Sequence, residues 1–299
     1  MEYFYSLRGR MRVGFFLLLL CFSLLQAQTK DKSTDSENLL ESPPLIEQIE
    51  FGNDIPESFL GRLYLQNPIY ALPYYHSLSK PYDNNIANEV KYQFSFRIPI
   101  MNIDKKYFIF FAYTQTSFFQ LYNKADSRPF RDTDYSPELY WAYEDASKTL
   151  RHIRISFKHT SNGERALRSR TQNQLLSSIR LQHDFSERAK VGAVINAWIW
   201  TGLHQEGFLH DNPDLARYRG YADILLYANY GNHLFEAYLT PIVADYSFYK
   251  PRFVLGYTYR LTHNIGLYAQ YTNGYGDNIY EYNIHSNRAG LGVRLWQNL

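Results

Sequence analysis

Cysteine is almost absent: the 299 residues hold one thiol, Cys21, inside an apolar run near the start. Disulfides and thiolate metal sites are thereby excluded from the rest of the chain. Long hydrophobic runs are missing as well. Beyond residue 27 no stretch of 18 apolar residues occurs, which excludes a membrane-spanning helix. Charge of one sign is lacking too, with 28 basic and 28 acidic residues beyond position 27, so a nucleic-acid partner is not indicated. Neither a glycine-rich phosphate loop nor a His/Cys metal spacing is found.

Aromatic residues, by contrast, are abundant. They make up 17% of the chain, with 28 Tyr and 20 Phe, while the mean hydropathy is only −0.42. A water-soluble core rarely needs so many tyrosines. A transmembrane barrel does, because aromatic girdles mark both membrane interfaces while the lumen stays polar. With helices excluded, a membrane-embedded chain must close its sheet, since lipid tolerates no unpaired strand edge.

Residues 1–27 read as a secretory signal peptide: Arg8, Arg10 and Arg12 are basic, Val13–Leu25 is apolar, and Ala27 is a small cleavage residue. Leu19 and Leu20, just before Cys21, argue against a lipoprotein. Residues 28–66 are polar, acidic and broken by Pro43-Pro44, and are expected to form a periplasmic or lumen-contacting extension. From residue 67 to 299, strand-length segments alternate with turn signals. Strands are expected at 69–78, 89–100, 106–120, 134–144, 149–161, 172–185, 188–201, 217–230, 233–246, 251–261, 264–277 and 287–298. These twelve predict an all-β fold: a twelve-stranded antiparallel transmembrane β-barrel of the bacterial outer membrane, with short periplasmic turns and longer outer loops.

One hairpin carries chemistry. His159 and Ser161 share the parity of Arg151, Ile153, Ile155 and Phe157, and in a strand shared parity means a shared face. His152, Arg154, Ser156 and Lys158 would then face the lumen. In the next strand Asn173 shares parity with Leu175, Ile179 and Leu181. A hydroxyl, an imidazole and an amide thus meet on the apolar exterior. A serine needs a neighbouring base to become nucleophilic, and an amide can fix that base without placing a carboxylate in lipid. A His-x-Ser pair alone is common on protein surfaces, and Asn162-Gly163 also reads as a turn pair with positive φ. Gln115 is the other conspicuous residue. It shares parity with Ile109, Phe111, Tyr113 and Phe119, but Phe108, Phe110, Ala112 and Thr114 make the opposite face almost as apolar, so its register is open. Facing lipid, its amide would need a partner, and a second copy across a two-fold axis is one candidate.

The segments HTSNG (His159–Gly163), SRTQN (Ser169–Asn173) and YTQTSFFQLYN…SRPFRDTDYSPELY (Tyr113–Tyr140) together resemble outer membrane phospholipase A, with weaker matches at Asp211–Tyr221 and Tyr271–Val293. The similarity runs over residues 68–299. It implies a calcium-dependent phospholipase A1/A2, also active on lysophospholipids, that works as a homodimer with its active site near the outer leaflet. Ser161 is then the nucleophile, His159 the general base, Asn173 its orienting residue and Gly163 the backbone donor to the oxyanion. Ser127, Ser169 and the carbonyl of Glu164 fall on the family's Ca2+ positions, Glu164 standing where the family has arginine. Against this stands a non-enzymatic outer-membrane barrel, a narrow pore or adhesin. Twelve strands leave a narrow lumen, which Arg154, Lys158, Arg180 and Asp184 are expected to fill.

Overall fold

The computed structural model describes residues 63–103, 106–202, 212, 214–245 and 248–296. The expected signal peptide and residues 28–62 of the expected extension lie outside them. Twelve strands form the barrel: β1 (Tyr70–Ser77), β2 (Asn88–Ile103), β3 (Tyr107–Phe119), β4 (Phe130–Glu144), β5 (Leu150–Ser161), β6 (Thr171–Ser186), β7 (Ala189–Trp200), β8 (Ala222–Tyr230), β9 (His233–Thr240), β10 (Arg252–Arg260), β11 (Ile265–Gly274) and β12 (Ser286–Leu295). Each pairs antiparallel with the next, and β1 pairs with β12, so no edge is left open. Short turns close one end; the longer connections, among them 78–87, 120–129, 162–170 and 275–285, stand at the other.

Alternation builds the two faces. On β5, Ile155 and Phe157 are 52% and 47% exposed, while Ser156 and Thr160 between and beyond them are buried in the lumen. The same holds around the barrel, with Leu175, Ile195, Leu226, Phe235, Leu255, Leu267 and Leu291 all outside. β3 resolves the open register: Phe108, Phe110 and Ala112 are buried inward, which turns Gln115 outward.

Where the strands differ from expectation, a local cause is visible. β4 starts at Phe130, not 134, because a bulge opposite Phe118/Phe119 sends Arg131 and Asp132 inward together and breaks the period-2 pattern. β8 starts at Ala222, not 217, because Leu215–Arg219 forms a short helix, α1. Leu215 packs with Trp198 and Trp200, and Gly220 (φ 65°) ends the turn while its carbonyl accepts both indole N–H groups at 3.0 and 3.1 Å. β9 ends at Thr240, ahead of Pro241; Val243–Asp245 beyond it pairs with Phe248–Tyr249 in a separate ribbon. A register shift between Leu150 and His152 frees Arg151 from the exterior row, and it pairs with Asp184.

The lumen is charged and cross-linked. Glu89, fully buried, accepts from Arg131 (2.8 and 2.9 Å), Arg288 (2.9 Å) and Gln120 (2.7 Å), and Arg131 also pairs with Glu281. Lys91 pairs with Asp277 at 3.0 Å. Burial alone would raise the Asp277 carboxyl, but Lys91, Arg131, Arg252 and Arg288 hold it well below the usual carboxylate range. Arg97 pairs with Glu144, and Arg154 with Glu138 at 3.3 Å. Of the residues expected to fill the lumen, Arg180 instead donates to Tyr227 (3.1 Å) and Gln182 (3.0 Å). Partners come from strands far apart in sequence, so the ion pairs brace the barrel across its width.

Residues 63–68 lead into β1 along the inside. Tyr64 and Arg97 exchange main-chain hydrogen bonds of 2.9 and 2.7 Å. Gln66 accepts from Tyr140 (2.8 Å), and Asn67 donates to Thr114 (2.9 Å).

Candidate active site

The site is built on the β5–β6 hairpin at the long-loop end. His159 and Asn173 are directly opposed across the two strands, and the imidazole Nδ1 lies 2.8 Å from Asn173 Oδ1. An amide oxygen only accepts, so Nδ1 carries the proton and Nε2 is the basic nitrogen. Ser161, two positions on, shares the exterior face, about 6.5–7 Å away at Cα by strand rise. Asn173 belongs to the apolar exterior row yet is only 2% exposed. Its main-chain carbonyl accepts from Thr201 N at 3.0 Å, which fixes that end of β6.

The residues between and around them hold the orientation. Thr160 points into the lumen, where its hydroxyl meets that of Ser136 at 2.8 Å. That contact pins the β4–β5 register, and with it the outward direction of both neighbours. On the β4 side Ser161 is opposite Tyr135, and Tyr135 is opposite Gln115, so the three form one exterior row.

Loop 162–170 is closed by Asn162. Its Nδ2 donates to Arg168 O at 2.8 Å, and its Oδ1 accepts from Arg170 N and Glu164 N at 3.0 and 3.3 Å. Gly163 has φ +65°, and a Cβ there would lie 3.4 Å from the Tyr135 ring. The left-handed backbone is what requires glycine. A second loop grips the first. Arg168 and Arg170 lie over the ring of Tyr280, at 4.3 and 5.3 Å from its centroid, while Tyr280 N donates to Asp132 (2.8 Å) and Ile279 N to Asp134 (3.0 Å). Removing the ring in Tyr280→Ala is expected to loosen loop 162–170 and speed its amide exchange about tenfold, with Tyr280→Phe close to wild type, because the cation–π contact is worth ~0.5–2 kcal/mol. Hydrogen exchange of the loop in the two refolded variants checks it; equal rates would remove Tyr280 from the loop's support.

Of the residues associated with metal, Glu164 and Ser169 share loop 162–170, and Ser127 stands in the exposed loop 120–129 with φ +51°. Among the described residues no group of three or more His, Cys, Asp or Glu is placed to hold a metal ion. Gln115 faces outward as one of its two readings had it, but its amide is already engaged within the protomer. Tyr113 Oη donates to Oε1, and Nε2 donates to Ser117 Oγ, both at 3.1 Å. An unmet hydrogen-bonding need therefore does not by itself demand a second copy; the amide keeps one further N–H.

Sequence reasoning missed Tyr135, Tyr280, the clip made by Asn162 and the Thr160–Ser136 pin. Only Asn162 carried a local signal, as an Asn-Gly pair. The others act through partners on different strands or loops.

The sequence model of the Phospholipase A1 family matches residues 62–295. The chain belongs to the phospholipase A1 family. Phospholipase A1 of Escherichia coli (strain K12) is 31% identical over 221 residues, 71% of each chain. A putative phospholipase A1 of Neisseria meningitidis serogroup B is 27% identical over 255 residues, 76% of this chain and 63% of that one. Among solved structures, outer membrane phospholipase A from Escherichia coli superimposes with a TM-score of 0.69 at 27% identity, covering 81% of this chain and 95% of that one. The Salmonella typhi outer membrane phospholipase, a dimer with bound calcium, gives 0.70 at 26%, with the same coverage. This phospholipase A1 family member is thus a phospholipase with the β-barrel of the bacterial outer membrane, and the pore or adhesin reading falls away.

Proposed function

We propose that the enzyme hydrolyses acyl esters of glycerophospholipids at either acyl position, and of lysophospholipids, at the outer leaflet, with Ser161, His159 and Asn173 as its triad. The observation that carries this is the 2.8 Å contact between His159 Nδ1 and Asn173 Oδ1 on the lipid-facing side, two positions from the Ser161 hydroxyl. Ser161 Oγ attacks the acyl carbonyl and passes its proton to His159 Nε2. Asn173 holds the ring in the Nδ1–H tautomer. The Gly163 N–H donates to the oxygen on which negative charge develops. His159 then protonates the departing glycerol oxygen, leaving the acyl group esterified to Ser161. The lysophospholipid leaves at that point. A water then gives a proton to His159 and attacks the acyl-serine ester. His159 returns that proton to Ser161 Oγ as the acyl–serine bond breaks, and the fatty acid leaves. An asparagine is an active-site residue in the Escherichia coli enzyme, which was solved as an asparagine-to-alanine active-site mutant.

Asn173→Ala is expected to lower turnover by about 10–100-fold, less than loss of nucleophile or base, because the ring keeps its chemistry and loses only its orientation. Steady-state hydrolysis in mixed micelles reads this directly. An unchanged rate would detach Asn173 from the triad.

The donor set fits calcium in kind. The Ser127 and Ser169 hydroxyls and the Glu164 main-chain oxygen are hard oxygen ligands. Ser127 and Glu164 are exposed, and Arg168 and Arg170, which would repel a cation, are turned onto Tyr280. Held by these oxygens, calcium would supply positive charge to offset the negative charge that develops on the substrate. Ser127 sits on a different loop from Glu164 and Ser169, which agrees with a site shared between two copies, with Gln115 on the facing strands. The Salmonella typhi enzyme, a dimer with bound calcium, supports the same reading. Chelation is expected to reduce hydrolysis at least about 100-fold and to shift crosslinked material from dimer to monomer, both reversed by added Ca2+. Full activity in chelator would remove the metal from the reaction.

A further inference from the structure

The lumen holds a cavity of about 310 Å³ whose charges do not balance. Six Lys and Arg side chains line it against three carboxylates. Those carboxylates are already engaged: Glu138 by Arg154, Glu236 by Arg294, and Asp223 by the Asn196 amide and the Tyr238 hydroxyl, both at 2.6 Å. Arg97 is matched by Glu144, which stands beyond the lining. Lys158 and Arg252 form no ion pair or side-chain hydrogen bond among the described residues, and Arg252 Nε is buried without a partner. Arg219 Nη1 donates to the carbonyls of Gly276 and Asn278, not to a carboxylate. Burial and the like charge of Arg252 outweigh Asp134 and Asp277 and hold the Arg219 guanidinium below its ordinary range. Cations confined together in a narrow lumen raise the local demand for anions.

A neutral donor joins these cations. Gln172, only 2% exposed, lines the same cavity with its amide oxygen unpartnered. Turned over, that amide presents N–H groups in place of the oxygen. It stands on β6 beside Gln174, the residue directly opposite Lys158 on β5. Arg252 opens β10, and Asp223 lies within electrostatic reach of both Lys158 and Arg252 yet pairs with neither. At ~30 Å³ per water the space holds on the order of ten waters, room for a small oxyanion with part of its hydration. The closed sheet separates it from the bilayer, which favours a soluble anion over a lipid headgroup. From the unmatched cations, the unpartnered amide and the room between them, we propose that the lumen is a binding site for a soluble tetrahedral oxyanion of the phosphate class, which accepts from Lys158, Arg252 and the Gln172 amide. The barrel then draws part of its internal counter-charge from solution, apart from the ester chemistry on its outer wall.

Equilibrium dialysis of the refolded full chain against radiolabelled inorganic phosphate tests this, in chelator and at constant ionic strength. Saturable binding of a single phosphate per barrel is expected. Lys158→Gln and Arg252→Gln should each weaken it by about tenfold or more, the loss of one charge-assisted hydrogen bond. Gln172→Leu, which keeps every cation, is expected to weaken binding as well, and it carries the test should the charge variants not fold. Arg165→Gln, on the exposed loop 162–170, is expected to leave the affinity unchanged. Absence of saturable binding by wild type, or equal affinity in wild type and the lumen variants, overturns the proposal. So does a loss of binding in Arg165→Gln alone, for the anion would then sit among the arginines of that loop.

Discussion

Ser161→Ala is expected to lower phospholipid hydrolysis by at least about 10³-fold while the barrel folds normally. In the proposed reaction the hydroxyl oxygen forms the acyl bond, and its row neighbours Tyr135 and Gln115 stand on strands without the imidazole two positions away that would activate them. What survives is whatever rate enhancement the oxyanion donor and substrate binding supply without a nucleophile. His159→Ala should fall to a similar level, since nucleophile and base act as one unit and their losses do not add. Folding is followed separately by heat-modified electrophoretic mobility. A Ser161→Ala protein that retains tens of per cent of wild-type turnover would contradict the assignment.

The second large effect is on stability. Glu89→Ala is expected to destabilise the barrel by about 3–5 kcal/mol, because it takes the shared carboxylate from two buried guanidinium groups and leaves one of them unpaired. Arg131 and Arg288 both rest on Glu89, and neither is more than a few per cent exposed. Arg131 keeps Glu281 and its place over the Phe118 ring, whereas Arg288 loses the one carboxylate it is seen to pair with. Reversible unfolding in urea, read by tryptophan fluorescence, measures the loss. Glu89→Gln, which retains an acceptor oxygen, should cost less. A change below about 1 kcal/mol would mean that water, not Glu89, satisfies these cations.

Much of the barrel could be read from alternation alone, because lipid outside and polar lumen inside impose one period on every strand. The exceptions mark where something else wins. A bulge at Arg131 serves the lumen ion pairs at the expense of the pattern, and α1 replaces the first residues of a strand because Leu215 has a tryptophan pocket to fill. The site was half legible. Parity puts His159, Ser161 and Asn173 on one face, and in the strand register His159 stands opposite Asn173. Family resemblance supplied the roles, which spacing could not. The charged lumen was legible only in outline: partners such as Glu89 and Arg288 lie 199 residues apart, and nothing local in either strand announces the other. Tyr280 is hidden for the same reason, since its ring matters only because two distant arginines settle on it.

Catalysis from the barrel's outer wall is tested most directly by a sulfonyl fluoride. Intact-mass and peptide analysis of the refolded, calcium-loaded enzyme should find a single adduct on Ser161, in step with loss of activity, and none on the His159→Ala protein. Inactivation with the label on any other residue, or equal labelling of Ser161 without His159, would contradict a serine activated by its neighbour two positions along the strand.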